Sequence, residues 1–555
     1  MKGKRKLKLI GLCILSSILL CSYFIFRYQS KIAAENETKK AKTDGNTYQD
    51  RLDSIVISAF HPLSYPELLT QEQFDLAAEA GIDVMEYCAG MSVTAPESMK
   101  QALGYAANAG ILVNVFDDRI SSNILQQPKE TVFSVWEEYR GKPGLGGYYL
   151  IDESVRPNDY AWYINELKRF DPSAQAFINN FPDIWGDGFY QDRLSDLCHL
   201  VVDKEGFFLS FDNYPFGMEA GSVDETSLFK HFDAVRKAGL ENQVRTGFYA
   251  QSIQYGYRKL NGNEMRYHVN SALAYGFKAI KYFAWGTPNE AVVPGFGDGV
   301  IDPKGNPTAL YYDIKEINKY AHTIGTTLVN LDAVEIYHSG SQSTNGIYKK
   351  LPENYFVQTD DYTILSRMVH QKTGRNYLMI VNKDFSAAQT VTLNFTGVDA
   401  LQEISPLDGK LVPTEYQSGI LRVSLDPGAA ILLALPEGKC FGTPEETAQS
   451  RNLLQNAYVL ASGSEGSDGW YVNRINDGIR NSQKGSNGWR DAYSSEKWLQ
   501  FDLNEKKQFN RLDLYPAGSQ SSFGTYFPQS LRVQISDDGN QWSTVLVQEM
   551  IPQPT

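Results

Sequence analysis

The chain has 555 residues, 42% of them apolar and 21% charged, and its formal net charge at pH 7 is −13. One hydrophobic core rarely serves a chain of this length, so the length predicts two to four domains. The negative charge makes the chain a poor partner for phosphate backbones and argues against nucleic-acid binding. The 33 Tyr, 28 Phe and 8 Trp form an aromatic excess that suits core packing or ring platforms for neutral glycans.

The N-terminus has the form of a targeting segment. Five basic residues lie between Lys2 and Lys8, and an uncharged run follows from Leu9 to Phe26. A basic start before an apolar stretch predicts a signal peptide or a single membrane anchor, and the length of this run suits either. We assign residues 1–30 to this segment and the polar residues 31–52 to a flexible tether. The protein is therefore expected to be secreted, or held at the cell surface through this segment alone.

Short apolar strands alternate with amphipathic helical stretches through residues 53–328. Helical spacing is clearest over 70–81, 96–110 and 263–277. The strand candidates are Ile55–Phe60, Asp83–Tyr87, Leu112–Phe116, Gly147–Ile151, Ala176–Asn180, Phe208–Asp212, Arg245–Ala250 and Ala279–Phe283. Eight such units predict a (β/α)8 TIM barrel. A doubly wound sheet is the alternative, but it would carry a glycine-rich phosphate turn after the first strand, where this chain reads SAFHPLSYPE.

The pattern changes to strands without helices over residues 329–436. Two strands are predicted in 376–395 around a polar turn, and two more in 420–435 around Pro427 and Gly428. A segment of about 100 residues with this pattern predicts a β-sandwich.

The C-terminal region, residues 452–555, follows a predicted linker at 437–451 and is again rich in strand patterns. Its motifs, in chain order, are NDG (476–478), Gly488-Trp489, WLQFDL (498–503) and SDDGNQW (536–542). This series resembles the discoidin domains, also called coagulation factor 5/8 type C, which include the family 32 carbohydrate-binding modules. The resemblance implies a glycan-binding β-sandwich with a structural calcium ion, for which Asp477 would be a ligand. The alternative for Asp477 is an ordinary Asp-Gly turn.

The barrel segment also resembles a known group. Its motifs are GGYYLIDE (146–153), YFAWG (282–286) and DGVIDPKGNPTALYYDIKEINKYAHTIG (298–325). They resemble the retaining (β/α)8 glycoside hydrolases, and the family 42 β-galactosidases in particular. The resemblance implies hydrolysis of a galactose- or hexosamine-containing glycan. No HExxH, CxxC or glycine-rich phosphate motif occurs in the sequence, so no cofactor is expected in catalysis.

The best candidate for the catalytic acid follows the fourth strand. Glycoside hydrolysis needs a protonated acid and a second carboxylate, and barrel sites lie at the C-terminal ends of the strands. Glu153 stands where the resembled enzymes carry their acid/base glutamate, and Asp152 stands where they carry Asn. Successive strand residues point to opposite sides, so one of the two is expected to face the mouth. The alternative is that both pair with Arg156 or cap the next helix.

The second carboxylate is open. Gln251 follows the seventh strand, where the resembled enzymes carry a nucleophilic glutamate, and an amide cannot take that role. We take Asp212, after the sixth strand, as the catalytic partner, with Asp117, Asp118 and Glu86 as alternatives. A partner on a non-adjacent strand would leave room for water and favour inversion. Because of Gln251, a second hypothesis is a non-catalytic glycan-binding surface protein with a degenerate barrel.

Substrate contacts are expected from side chains at the other strand ends. The candidates are Trp285, Tyr214, Tyr249, Asn180 with its neighbour Asn179, Gln251, Asp117 and Glu86. Trp285 resembles the tryptophan that lies under the sugar in the resembled enzymes, and the alternative is packing on the loop 287–300. For Asp117 or Asp118, the alternative is an ion pair with Arg119.

Overall fold

The computed structural model describes most of the barrel and sandwich regions and separate stretches of the C-terminal region. The described residues are 46–91, 93–120, 124–183, 190–340, 349–439, 441 and short stretches between 453 and 551. The predicted N-terminal segment lies outside this part of the chain. Among the helices that are described, none is long and apolar enough to cross a membrane.

Eight parallel strands close into a barrel in chain order, which confirms the predicted fold class. The strands are β1 (Val56–Phe60), β2 (Val84–Glu86), β3 (Leu112–Val115), β4 (Leu145–Ser154), β5 (Gln175–Asn180), β6 (Phe208–Asp212), β7 (Arg245–Gln251) and β8 (Ala279–Phe283). β1 pairs with both β2 and β8, so the sheet has no free edge. Most barrel-strand residues are buried, because side chains on one face fill the barrel and those on the other pack on helices.

One helix lies between each pair of successive strands, and the last follows β8. The helices are α1 (Gln71–Glu79), α2 (Pro96–Ala109), α3 (Lys129–Tyr139), α4 (Ala161–Phe170), α5 (Tyr190–Leu200), α6 (Glu225–Asn242), α7 (Gly262–Ala274) and α8 (Ala309–Leu328). Local signals set their ends. α7 begins with a capping box between Asn261 and Glu264. α2 ends at Gly110, whose φ of 78° favours glycine.

A two-sheet sandwich follows the barrel. Its strands are β9 (Leu331–His338), β10 (Val357–Gln358), β11 (Thr363–His370), β12 (Asn376–Asn382), β13 (Gln389–Phe395), β14 (Gln402–Ile404), β15 (Leu411–Pro413), β16 (Ile420–Leu425) and β17 (Ala430–Ala434). One sheet has the order β15-β14-β17-β12-β11-β9, and the other has β10-β13-β16. The four strands predicted from sequence are present. Each predicted pair is divided between the two sheets, because the chain crosses from one sheet to the other at both turns.

The six-stranded sheet is shared between two hydrophobic cores. Met379 and Val381 pack with the barrel core, whereas Leu378 and Ile380 pack with the core between the two sheets. The alternation follows from the two-residue side-chain period of a strand. The sandwich is therefore a covering layer for the barrel. In the C-terminal region, β18 (Tyr458–Ala461) pairs with β19 (Leu499–Asp502), and β20 (Ser530–Ile535) pairs with β21 (Ser543–Glu549).

The contact between barrel and sandwich yields a prediction at Gly428. Its φ is 67°, and an added Cβ would lie 2.6 Å from the backbone nitrogen of Tyr267 on α7. Its carbonyl accepts a hydrogen bond from Asn270 Nδ2 at 2.9 Å. Gly428→Ala should therefore lower the free energy of unfolding by about 2–4 kcal/mol, the sum of backbone strain and overpacking.

Gly374→Ala is the matched control for this experiment. Gly374 has a φ of 69°, but an added Cβ would meet no atom within 4 Å. Its substitution should cost only the strain, about 1 kcal/mol. Urea unfolding monitored by tryptophan fluorescence measures both values. Equal losses in the two variants would contradict the close packing of Gly428 against α7.

Candidate active site

Two carboxyl groups converge on one amide at the mouth of the barrel, and a third lies next to them in the chain. β5 lies between β4 and β6, and its residue Asn179 donates from Nδ2 to Asp152 Oδ1 at 3.0 Å and to Asp212 Oδ1 at 3.2 Å. Glu153 forms a side-chain hydrogen bond with Asp212. We call these four residues the acidic cluster. The structure thus brings together the two residues predicted to be catalytic, Glu153 and Asp212, and it adds Asp152 and Asn179 to them.

An irregularity in β4 allows two adjacent carboxylates to reach the same place. Ile151 pairs with Ile178 and Ser154 pairs with Asn180, so Asp152 and Glu153 together oppose the single residue Asn179. Glu153 has a φ of 49°, in the left-handed region that glycine favours. Such a bulge re-aims side chains and interrupts the usual alternation, at a strain cost of roughly 1–3 kcal/mol. The expectation that only one of the two carboxylates faces the mouth is therefore wrong.

Burial and mutual repulsion keep protons in the cluster. Burial, with the neighbouring charge of Glu153, raises the pKa of Asp152 to about 7, although the hydrogen bond from Asn179 opposes the rise. Burial and the charges of Glu153 and Asp152 also raise the pKa of Asp212 well above its usual range. Glu153 itself is exposed to solvent. Interacting carboxyls lose their protons as a group, so near neutral pH the cluster retains at least one transferable proton.

Aromatic rings line one side of the cluster. Tyr214 packs on Tyr257 at 5.0 Å and on Phe283 at 5.3 Å, between ring centroids. Phe296 follows at 6.1 Å from Phe283, and the exposed ring of Tyr255 stacks on Phe296 at 4.0 Å. We call these five residues the aromatic wall. Burial raises the pKa of both Tyr214 and Tyr257, and the charges of Asp212 and Glu153 add to the rise, so both phenols lie within electrostatic reach of the cluster.

The Tyr257 hydroxyl is a polar group that the described part of the protein leaves unsatisfied. Its oxygen is buried and has no hydrogen-bond partner among the described residues. A buried polar atom without a partner costs about 1–3 kcal/mol, so a bound ligand atom there would gain a hydrogen bond. Of the wall, Tyr214 and Tyr255 were candidates from the sequence. Tyr257, Phe283 and Phe296 could have been found from their aromatic character at or after the ends of strands β7 and β8.

Two predicted substrate ligands lie beneath the cluster, inside the barrel. Lys281 Nζ is 2.9 Å from Glu86 Oε1, and the Tyr249 hydroxyl donates to Glu86 Oε2 at 3.3 Å. Glu86 and Tyr249 are almost wholly buried, as is Lys281. Their polar atoms are used in this internal network, so in this structure neither Glu86 nor Tyr249 is open to a substrate.

Asp117 is likewise committed to protein partners. It accepts hydrogen bonds from Arg119 at 2.9 Å and 2.7 Å, and another from the Tyr139 hydroxyl. Burial opposes ionisation, but these bonds outweigh it and hold the pKa of Asp117 below its usual value. The ion pair considered as its alternative role is the one observed, and its neighbour Asp118 points to solvent.

Gln251 connects two loops at the barrel mouth. Its Oε1 accepts from the Phe216 backbone nitrogen at 3.3 Å, and its Nε2 donates to the carbonyls of Phe216 at 3.1 Å and Arg258 at 2.6 Å. Both amide protons are used, and the side chain is fully buried. The structure therefore gives Gln251 a loop-fixing position and no access to a ligand.

The last two predicted barrel contacts also face inward. Asn180 Nδ2 donates to the carbonyl of Ser210 at 2.7 Å, and its neighbour Asn179 is the one that reaches the cluster. Trp285 is completely buried, with its ring 6.0 Å from that of Tyr311. In this structure no face of the indole is exposed for a sugar. Trp285 is therefore a core residue in this structure.

The proposed calcium ligand Asp477 lies outside the described residues, so its role stays a prediction. Among the residues that the structure describes, no group of three or more His, Cys, Asp and Glu side chains has the arrangement of a metal site.

The C-terminal region matches the F5/8 type C domain over residues 460–555, which confirms the resemblance drawn from its motifs. Comparison with curated proteins gives no match.

Several solved structures of glycosidases resemble the chain in architecture. A β-galactosidase from Bacillus circulans sp. alkalophilus is 10% identical, with a TM-score of 0.46, over 69% of this chain and 99% of that one. A GH42 β-galactosidase from G. stearothermophilus is 8% identical, with a TM-score of 0.45, over 69% and 98%. A β-galactosidase from the psychrophilic Marinomonas ef1 is 10% identical, with a TM-score of 0.38, over 52% of this chain and 63% of that one. Identities this low carry no information on activity or substrate.

Neutralising Asp212 and Asp117 should shift stability in opposite directions at pH 8. The folded pKa of Asp212 is raised, so its contribution is present at low pH and is lost as pH rises through that value. Asp212→Asn should then raise the free energy of unfolding, on the order of 1–2 kcal/mol. The folded pKa of Asp117 is lowered, so its contribution is present at neutral pH. Asp117→Asn should lower that free energy by about 1.5–3 kcal/mol.

Urea unfolding at pH 5 and pH 8 measures both effects. The gain in Asp212→Asn should shrink at pH 5, where the wild-type carboxyl is already protonated. Destabilisation by Asp212→Asn at pH 8 would contradict the proton-holding cluster.

Proposed function

We propose that this protein is an exported glycoside hydrolase that cleaves a galactose- or hexosamine-containing glycan at the mouth of its barrel. The observation that carries the proposal is the hydrogen-bonded pair of Glu153 and Asp212, held beside an aromatic wall. General acid catalysis at a glycosidic oxygen needs a carboxyl that still holds its proton near neutral pH. The acidic cluster supplies such a proton.

Each member of the cluster has a distinct part in this proposal. Exposed Glu153 touches the glycosidic oxygen and transfers the proton. Asp212, buried against Glu153, holds that proton in the shared hydrogen bond and stays behind as the pair ionises. Asn179 fixes the Asp212 and Asp152 carboxyls in place through its two hydrogen bonds. The strained backbone at Glu153 supports the assignment, because such strain concentrates at functional sites.

The aromatic wall and the C-terminal domain supply binding. Ring faces pack well against the C–H faces of sugars, and Tyr214 and Tyr257 also offer hydroxyls. The F5/8 type C domain would hold the barrel near its polymer, and such tethering raises the local substrate concentration. The basic and apolar N-terminal segment supports export, with the mature protein secreted or kept at the cell surface.

One observation favours a second candidate, a glycan-binding protein without activity. Gln251 occupies the end of β7, and its amide is held by backbone hydrogen bonds, so no carboxylate is available at that strand end. A binding protein would keep its glycan affinity and release no product. Hydrolysis assays and binding assays on the same glycans therefore separate the two candidates.

Glu153→Gln should reduce kcat/KM by about 10²–10⁴-fold on substrates with a poor leaving group, because the amide cannot donate the proton. With an activated nitrophenyl leaving group, which needs little protonation, the loss should be much smaller. Initial rates on both substrate types measure the difference. Glu166→Gln is the control, since Glu166 lies on α4 and pairs with Arg169. Equal losses on both leaving groups would contradict acid catalysis by Glu153.

A further inference from the structure

The geometry points to a 2-acetamido-2-deoxy sugar at the cleaved bond, whose own amide oxygen supplies the nucleophile that the described strand ends of the barrel do not offer. This inference rests on the proposed function and names the substrate class of the same site. It begins from the carboxylates at the strand ends. Glu86 is paired with Lys281, Asp117 is paired with Arg119, and β7 ends in an amide. Asp118, the neighbour of Asp117, is exposed to solvent, and the remaining strand-end carboxyls Asp152, Glu153 and Asp212 form the acidic cluster.

The arrangement of those three groups does not suit either two-carboxylate mechanism. Retaining enzymes hold an acid and a nucleophile about 5–5.5 Å apart, and inverting enzymes hold an acid and a base about 6.5–9.5 Å apart. Glu153 acts on Asp212 as a charged and hydrogen-bonding neighbour, so the two form one acidic group and not an acid with a separate opposing carboxylate. Asp152 is joined to Asp212 through the single amide of Asn179. The cluster can deliver a proton from one side of the sugar, but it cannot place a carboxylate on the opposite face.

The surroundings of the cluster match the atoms of an acetamido group. Asp152, next to Glu153 in the β4 bulge, is a carboxylate that can accept the amide N–H. The buried and unpartnered hydroxyl of Tyr257 can donate to the amide oxygen. The rings of Tyr214 and Phe283 offer an apolar surface for the methyl group. An acetamido group would thereby satisfy the one buried wall hydroxyl that the described residues leave without a partner.

The proposed step balances without any further reactant. The proton of the Glu153–Asp212 pair passes to the glycosidic oxygen as the bond from C1 to that oxygen breaks. The amide oxygen forms a bond to C1, and Asp152 takes the amide proton, which gives a neutral oxazoline. Water then adds at C1 as the bond from C1 to the oxazoline oxygen breaks. Asp152 returns its proton to the ring nitrogen, which restores the amide, and the water proton passes to the Glu153–Asp212 pair. Because the amide oxygen belongs to the substituent on C2, the glycosidic bond must be trans to that substituent. Two successive inversions at C1 then give net retention.

The test uses the full chain with aryl β-glycosides in matched pairs that differ only at C2. Aryl 2-acetamido-2-deoxy-β-glucosides and -galactosides, as mono- and disaccharides, are compared with the corresponding hydroxyl compounds. The kcat/KM of the acetamido compounds should be at least about 100-fold higher, because the hydroxyl compounds lack the nucleophilic amide oxygen. The product anomer, read by NMR in the first minutes, should be β.

A fluorine series at the acyl group tests the nucleophile directly. Replacing acetyl by mono-, di- and trifluoroacetyl withdraws electrons from the amide oxygen, and kcat should fall progressively. Tyr257→Phe should lower kcat/KM for the acetamido substrates by about tenfold, the loss of one hydrogen bond, with Tyr312→Phe on the exposed face of α8 as control.

The outcomes separate the inference from the proposed function. A kcat that does not change along the fluorine series would overturn the inference. Hydrolysis of the hydroxyl compounds at a rate equal to the acetamido compounds would overturn it too, and in both cases the glycoside hydrolase would stand. An absence of hydrolysis on every member of the panel would overturn both.

Discussion

The functional end of this barrel depends on the burial of carboxyl groups beside one another without a neutralising cation. Among the described residues, no lysine or arginine forms an ion pair with Asp152, Glu153 or Asp212, although Glu86 and Asp117 close by are both paired. Like charges in a poorly solvated site disfavour ionisation, so protons stay bound and the pKa values of Asp152 and Asp212 rise. The amide of Asn179 is the main neutral link that holds the group together.

The rest of the structure can be understood as support for that group. Three adjacent parallel strands, β4, β5 and β6, end at the same edge and bring their last residues together. The bulge in β4 brings both Asp152 and Glu153 to this edge, opposite Asn179. Below them the paired Glu86 and Lys281 fill the barrel interior without leaving a charge uncompensated. The sandwich packs on helix α7 and shares a hydrophobic core with the barrel.

Much of the fold could be predicted from sequence, because long apolar periodicities and glycine-ended helices are local signals. The strands Phe208–Asp212 and Ala279–Phe283 were placed at their observed bounds, and the others differed by one to three residues at an end. Glu153 and Asp212 were found because position after a strand determines which end of the barrel a residue occupies. The bulge, the missing hydrogen-bond partner of the Tyr257 hydroxyl and the internal partners of Glu86 and Gln251 were not predictable. They depend on contacts between segments far apart in the chain, and a single sequence carries no signal for them.

The most direct test of a proton shared within the cluster is the pH dependence of kcat/KM in wild type and in Asp212→Asn. If the Glu153–Asp212 pair supplies the proton, wild-type activity should fall on the alkaline side through the apparent pKa of the pair. Asp212→Asn removes the carboxyl whose pKa is raised, so that fall should move to lower pH. An alkaline limb at the same pH in both proteins would contradict the account.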